Sequence, residues 1–248
     1  MHKYLLGLLA CVALNCGPEV IETSADEIIH GSRDHQRHPA VLALVRSDGA
    51  LCTGTLISPT LVLTARHCVS QAVERVDCAM GGPQIAANFR ANSISVIDSE
   101  SAFAGRVLAK GSRLVTPDSN RLCDHDIAMI VLDRAINNIP PMRVDWGTQL
   151  REGVWLTAVG FGRRGDSASA GVGTRYQRQH VLVVSASATE LVTMESTCNG
   201  DSGGPLIDPL TNAVVAVVSR GGPRCVGSET RVIWTRPAVI RSLLRNAQ

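Results

Sequence analysis

The chain is short of several features that would assign it elsewhere. No apolar run reaches the roughly 20 residues of a membrane-spanning helix. The eight cysteines include no Cys-x-x-Cys pair of the kind that holds structural zinc. No acidic loop carries the ligand spacing of a calcium site, and there are no repeats or low-complexity tracts. Charge of one sign is also missing: 24 basic against 22 acidic residues leave +2 over 248 residues, and no basic stripe marks a nucleic-acid surface. Neither a metal nor a cofactor is implied.

What is present is a serine set among glycines: Thr197-Cys198-Asn199-Gly200-Asp201-Ser202-Gly203-Gly204-Pro205. A serine hydroxyl is a poor nucleophile unless a base takes its proton and backbone donors receive the charge that develops. The glycines let the chain turn tightly, so amide groups can converge on one point. The run Leu61-Val62-Leu63-Thr64-Ala65-Arg66-His67-Cys68 delivers a histidine at the end of an apolar strand. Asp124-His125-Asp126 then precedes a second apolar strand from Ile127 to Leu132. Adjacent residues of an extended strand point to alternating sides, so this acidic trio does not converge on a metal.

These blocks, in the order His, Asp, Ser, resemble the trypsin/chymotrypsin-like serine endopeptidases across nearly the whole chain after residue 27. The resemblance implies a His67–Asp126–Ser202 triad, with Asp126 preferred to Asp124 because it abuts the apolar run. Ser202 would attack the peptide carbonyl, His67 would shuttle the proton, and Asp126 would orient the imidazole. The amides of Gly200 and Ser202 would form the oxyanion hole, and Ser219 would hydrogen-bond Asp126. Ser219-Arg220-Gly221 would pair with substrate as an added strand. Ser196 would lie at the floor of the specificity pocket, with Gly221 on its wall and Val232 as a second floor residue. No carboxylate stands there, so the expected P1 side chain is apolar and small to medium, not Lys or Arg. Arg220 replaces a usual aromatic, and Arg66 a usual alanine.

The beginning of the chain adds a switch. Residues 1–16, with His2, Lys3 and the apolar run Tyr4 to Leu14, read as a secretory signal. Cys11 and Cys16 each loosely resemble a lipoprotein cleavage site, leaving lipid anchoring open. Residues 17–27 read as an acidic propeptide. Ile28-Ile29-His30-Gly31 resembles the family's mature N-terminus, where a freed Ile28 ammonium would pair with Asp201. His30 replaces a usual glycine. The bond to be cut follows Glu27, which calls for an activating protease that cuts after glutamate; self-activation is not expected.

Removing residues 1–27 leaves 221 residues, enough for one large all-β unit, and raises the net charge to +5 by taking away Lys3 and four acids. Six cysteines remain, an even number suited to an oxidising compartment. Family positions imply Cys52–Cys68 and Cys198–Cys225; Cys78 and Cys123 pair by elimination. The expected product is a monomer, secreted or held at the cell envelope, that acts on proteins or peptides.

Short β runs separated by turns predict a barrel or sandwich. They are Val41–Val45, Leu51–Ser58, Leu61–Ala65, Ile94–Ile97 and Ile127–Leu132, then Val154–Phe161, His180–Ser185, Leu191–Met194, Val214–Ser219 and Val232–Thr235. The resemblance implies two antiparallel six-stranded barrels, about 28–138 and 139–248, with the site in their cleft. Pro237–Arg245 reads as a closing helix with Val239, Ile240, Leu243 and Leu244 on one face. The Gly/Ser/Ala-rich loop 163–174 contains Arg164-Gly165-Asp166, a chance match to an integrin-binding tripeptide. Two rivals are weighed. A non-catalytic relative would have lost a triad member, and an esterase would place its serine first in chain order.

Overall fold

Fifteen short strands carry almost all of the regular structure. The computed structural model describes residues 28–248 except 74–75, 99 and 168–170. The signal and propeptide readings therefore lie outside the described residues.

In chain order the strands are β1 (Ser32–Arg33), β2 (Val41–Arg46), β3 (Leu51–Ser58), β4 (Leu61–Thr64), β5 (Ser70–Ala72), β6 (Ile85–Asn88), β7 (Ile94–Asp98), β8 (Arg106–Val115) and β9 (Ala128–Leu132). The second half holds β10 (Trp155–Gly160), β11 (Tyr176–Ala186), β12 (Glu190–Thr193), β13 (Pro205–Asp208), β14 (Ala213–Gly221) and β15 (Thr230–Trp234), followed by helix α1 (Pro237–Ala247).

Strands β2-β3-β4-β9-β8-β7 close an antiparallel barrel. A second ring runs β11-β10-β13-β14-β15-β12 and closes through β11–β12, with β1 added at the edge on β11. Closure matters because it leaves no exposed sheet edge except where the fold needs one. The apolar runs fill the two interiors: Leu42, Leu56, Leu63 and Ile130 in the first, Leu156, Val181, Leu206 and Val232 in the second. The chain passes between the rings in the β9–β10 connection, which includes Asn137–Pro141.

Helix α1 begins with proline at its first turn, where a missing N–H costs nothing. It buries Ile240 and Leu243 among the first barrel's core residues, so the end of the chain straps back over the beginning. Three disulfides form: Cys52–Cys68, Cys78–Cys123 and Cys198–Cys225.

Candidate active site

His67 sits in a single helical turn, Arg66–Cys68, directly after β4. Two restraints fix it. Cys68 is bonded to Cys52 on β3, and the His67 amide donates to Asp126 Oδ1 at 2.9 Å. The ring Nδ1 then lies 2.8 Å from Asp126 Oδ2, which also accepts from Ser219 Oγ at 2.6 Å. Asp126 is fully buried just before β9, so its charge depends on these three donors. Burial pushes its pKa up, but the His67 charge and the hydrogen bonds from His67 and Ser219 outweigh that and hold it below the usual carboxylate value. For His67, burial disfavours the charged ring; the Asp126 carboxylate overcomes this and raises the pKa, with Arg220 opposing.

Asp124 does something else. Its carboxylate accepts from Thr189 Oγ1, its amide donates to Glu190 Oε1, and His125 Nδ1 lies against the Cys123 carbonyl. The three residues disperse. Among the described residues, the cluster of potential metal ligands is Cys52, His67 and Cys68, whose two sulfurs are consumed by the disulfide.

Ser202 lies on the loop between β12 and β13 and faces the same cavity as His67, about 300 Å³ in volume. Its hydroxyl does not yet hydrogen-bond His67; the ring Nε2 has Cys68 Sγ at 3.9 Å instead. Such catalytic bonds commonly tighten only when substrate arrives. The loop is braced from the other barrel by Thr53, whose amide donates to the Ser202 carbonyl and whose hydroxyl donates to the Gly200 carbonyl, both at 2.8 Å. Sequence reasoning missed Thr53, because nothing local links β3 to a loop some 150 residues away.

The loop's amides divide in two. Those of Asp201, Gly203 and Gly204 donate to Cys198, Val218 and Asp201 carbonyls. Those of Gly200 and Ser202 have no acceptor among the described residues, which leaves two donors for an oxyanion. Gly200 makes this possible: its φ of +105° suits glycine, and a Cβ there would come within 2.8 Å of the Gly162 backbone.

Asp201 points away from the cavity into the protein. It is fully buried and accepts from Gly162 N at 2.7 Å and Cys198 N at 2.9 Å. Glycine at 162 is required, since a Cβ there would meet the carboxylate at 2.5 Å. Burial raises the Asp201 pKa to about 7, only partly opposed by the two amides. Ile28 and Ile29 are buried too, and Ile29 O accepts from Arg178 Nη1 at 2.7 Å.

The residues expected to shape specificity are divided between the cavity and the barrel interior. In the β14–β15 ladder Gly221 is opposite Thr230, whereas Val232 is opposite Val218 and lies in the second barrel's core. Gly221 lines the cavity, whereas Ser196, Thr230 and Val232 are buried and are not among its lining residues. Ser196 is fully buried, and its hydroxyl meets those of Thr193 and Thr230, each at 3.3 Å; Thr197 meets Thr230 at 3.0 Å. Behind the cavity wall these residues form a cluster of hydroxyls. Pairing of β14 with β13 ends at Val217, so Ser219–Gly221 keeps one edge toward the cavity.

Arg220 lies across this edge, held by Glu190 at 2.8 and 2.6 Å. Arg66 turns its guanidinium onto the Pro117 carbonyl at 2.7 Å and onto the Ser119 carbonyl. Partial burial lowers its pKa, with Asp126 and Asp118 opposing. Its charge is thus accommodated behind the histidine, out of the cavity.

The family model described as Trypsin matches residues 28–242. Catroxase-1, a snake venom serine protease of Crotalus atrox, is 27% identical over 235 residues, covering 87% of this chain and 84% of the relative. A collagenase of Hypoderma lineatum is 30% identical over 187 residues, covering 68% of this chain and 65% of that protein. Among solved structures, an HL collagenase superposes with a TM-score of 0.67 at 19% identity, covering 89% of this chain and 99% of that one. A Glu endopeptidase structure gives 0.66 at 19% identity, covering 86% and 92%.

Proposed function

Because the chain belongs to the trypsin family of serine proteases, we propose that it cuts peptide bonds through His67, Asp126 and Ser202, and that it is made as a zymogen. The observation that carries this is the hydrogen-bonded chain Ser219–Asp126–His67, facing one cavity with Ser202, on whose loop the amides of Gly200 and Ser202 are unused among the described residues. Ser202 Oγ attacks the scissile carbonyl as its proton passes to His67 Nε2. The new oxyanion is received by the amides of Gly200 and Ser202. His67 then protonates the leaving amine, and water repeats the sequence on the acyl-enzyme. The raised His67 pKa suits this role, because the imidazolium that forms is stabilised by Asp126.

The zymogen reading rests on Asp201. A buried carboxyl with two amide donors and no cation beside it among the described residues is poorly served, in line with its raised pKa. Cutting after Glu27 creates an ammonium on Ile28, whose side chain is already buried. That ammonium supplies the missing charge and fixes the loop that bears Ser202. Three disulfides support an exported protein, secreted or held at the cell envelope, with a lipid at Cys11 or Cys16 as one route of retention. The expected preference for an apolar P1 side chain leaned on Val232, and the core position of that residue withdraws its support.

Fluorophosphonate labelling of the uncleaved chain and of a protein beginning at Ile28, with Ser202→Ala as control, tests this reading. Labelling of the Ile28 form alone is expected. Equal labelling of both forms removes the switch. No labelling of a folded, disulfide-intact Ile28 form favours the non-catalytic relative.

A further inference from the structure

The cavity beside Ser202 carries an uncommitted positive charge. Two arginines line it, Arg220 and Arg224. Arg220 is neutralised by its bidentate pair with Glu190. Arg224 is exposed and makes no ion pair among the described residues. Two acids hydrogen-bond the backbone of its own loop: Asp166 Oδ1 accepts from the Cys225 amide at 2.6 Å, and Glu195 Oε2 accepts from that of Gly227; the loop's own acid, Glu229, is exposed and is not among the residues lining the cavity. Among the described lining residues the carboxylate is that of Asp126, held behind the His67 ring. The wall adds hydroxyl donors, with Thr197 lining the cavity and Ser196 and Thr230 behind it. A guanidinium and hydroxyls, with Asp126 as the carboxylate among the described lining residues, make a site for an anionic side chain.

The sequence contains a matching substrate. Asp26-Glu27 stands immediately before Ile28, so the junction proposed for activation presents a glutamate at P1 and an aspartate at P2. Both fall on the side of the scissile bond that the Ser219–Gly221 edge and the two arginines would flank.

We propose that the enzyme prefers an acidic P1 side chain recognised through Arg224, and that a mature copy activates the precursor by cutting Glu27–Ile28 in a second copy of this chain. In that step the bond between the Glu27 carbonyl and the Ile28 nitrogen breaks as Ser202 Oγ acylates. His67 passes the serine proton to the leaving nitrogen. One water then cleaves the ester, so the products are a Glu27 carboxylate and an Ile28 ammonium. This replaces the separate activator that the sequence alone called for. The inference rests on the zymogen reading above and adds substrate class and activator to it.

The test uses the Ile28 form as enzyme, with fluorophosphonate labelling run first. The substrates are the uncleaved Ser202→Ala chain and a pair of peptides, Ser-Ala-Asp-Glu and Ser-Ala-Asp-Gln, on a chromogenic amine. Expected are release of an Ile28 N-terminus from the precursor and a Glu-over-Gln ratio in kcat/KM of roughly tenfold or more, typical of a hydrogen bond to a charged group. Arg224→Ala should bring the ratio near one and Arg224→Lys should restore part of it. A ratio within each variant is unaffected by the fraction that folds. An Ile28 form that labels but prefers Gln, Leu or Val at P1, or leaves the precursor uncut, overturns this inference and keeps the protease. An Ile28 form that does not label overturns both.

Discussion

Asp201 offers a prediction that reaches from one buried carboxyl to the logic of activation. In the uncleaved chain its pKa is raised from 3.8 to about 7 by burial. Between those two values the folded state holds a proton that the unfolded state has lost, so stability falls as pH rises. The penalty is absent below 3.8, complete above about 7, and on the order of 4 kcal/mol at 1.36 kcal/mol per pH unit. Asp201→Asn removes the titration, while imposing a constant cost because one of the two amides loses its acceptor. The assay is urea unfolding, with disulfides intact, of uncleaved Ser202→Ala chains with and without Asp201→Asn at pH 5 and pH 8. Taking the difference between the two chains cancels His67, whose raised pKa also makes stability fall with rising pH. Relative to the asparagine variant, the aspartate chain should lose about 3 kcal/mol across that interval, a midpoint displacement on the order of 1 M urea. In the cleaved chain the same interval should show no such slope, because the Ile28 ammonium keeps the carboxylate charged. The slope should return only at alkaline pH as the amine deprotonates. A difference independent of pH in the uncleaved chain would refute the lone-carboxyl argument, and an equal slope in both forms would refute the pairing.

Two further outcomes follow from neighbouring geometry. Arg220→Leu removes a positive charge that opposes the His67 imidazolium, so the acid limb of kcat/KM should move to higher pH; an unmoved limb in a pH–rate profile would sink that coupling. Replacing Cys78 and Cys123 together by alanine opens a link spanning 45 residues and should cost about 4 kcal/mol in urea unfolding, whereas a loss under 1 kcal/mol would show the bridge to be dispensable.

How much of this was legible in the sequence depended on how local each signal was. His67 and Ser202 stand in short motifs, so the roles proposed for them could be drawn from a few consecutive residues. The strands that alternate or run apolar, such as β3 and β9, were placed within a residue or two at each end. Strand β8 was invisible because Arg106, Lys110 and Arg113 interrupt its apolar positions, and it is held by β7 and β9 on either side. Strand β13 begins at the proline that ends the nucleophile motif, where a turn was the natural reading. The hydroxyl cluster of Ser196, Thr197 and Thr230 could not be found, because it follows from the pairing of β14 with β15 across an irregular connection. The partners of Arg66 and Arg220 were equally hidden: Pro117, Ser119 and Glu190 approach only when the barrels are closed.

The start of the described chain and the loop beside the cavity are joined through the side chains of His30, Glu195 and Arg178, which is the wiring that the proposed activation would use. His30 Nε2 lies 2.7 Å from Glu195 Oε1, and Glu195 Oε2 receives the Gly227 amide of the loop that carries Arg224 and Cys225. Arg178 ties the same two segments by donating to the carbonyls of Ile29 and Glu195. Asp201 completes the circuit from the other side, since the Cys198 amide it accepts belongs to the residue bonded to Cys225. These contacts run from residues 29 and 30 through Glu195 and Arg178 to the loop at Gly227, and from Asp201 through Cys198 to Cys225 of the same loop. The histidine that looked like a departure at position 30 is part of that wiring. A glycine there would keep the turn, since His30 has φ +64°, but would lose the link to Glu195.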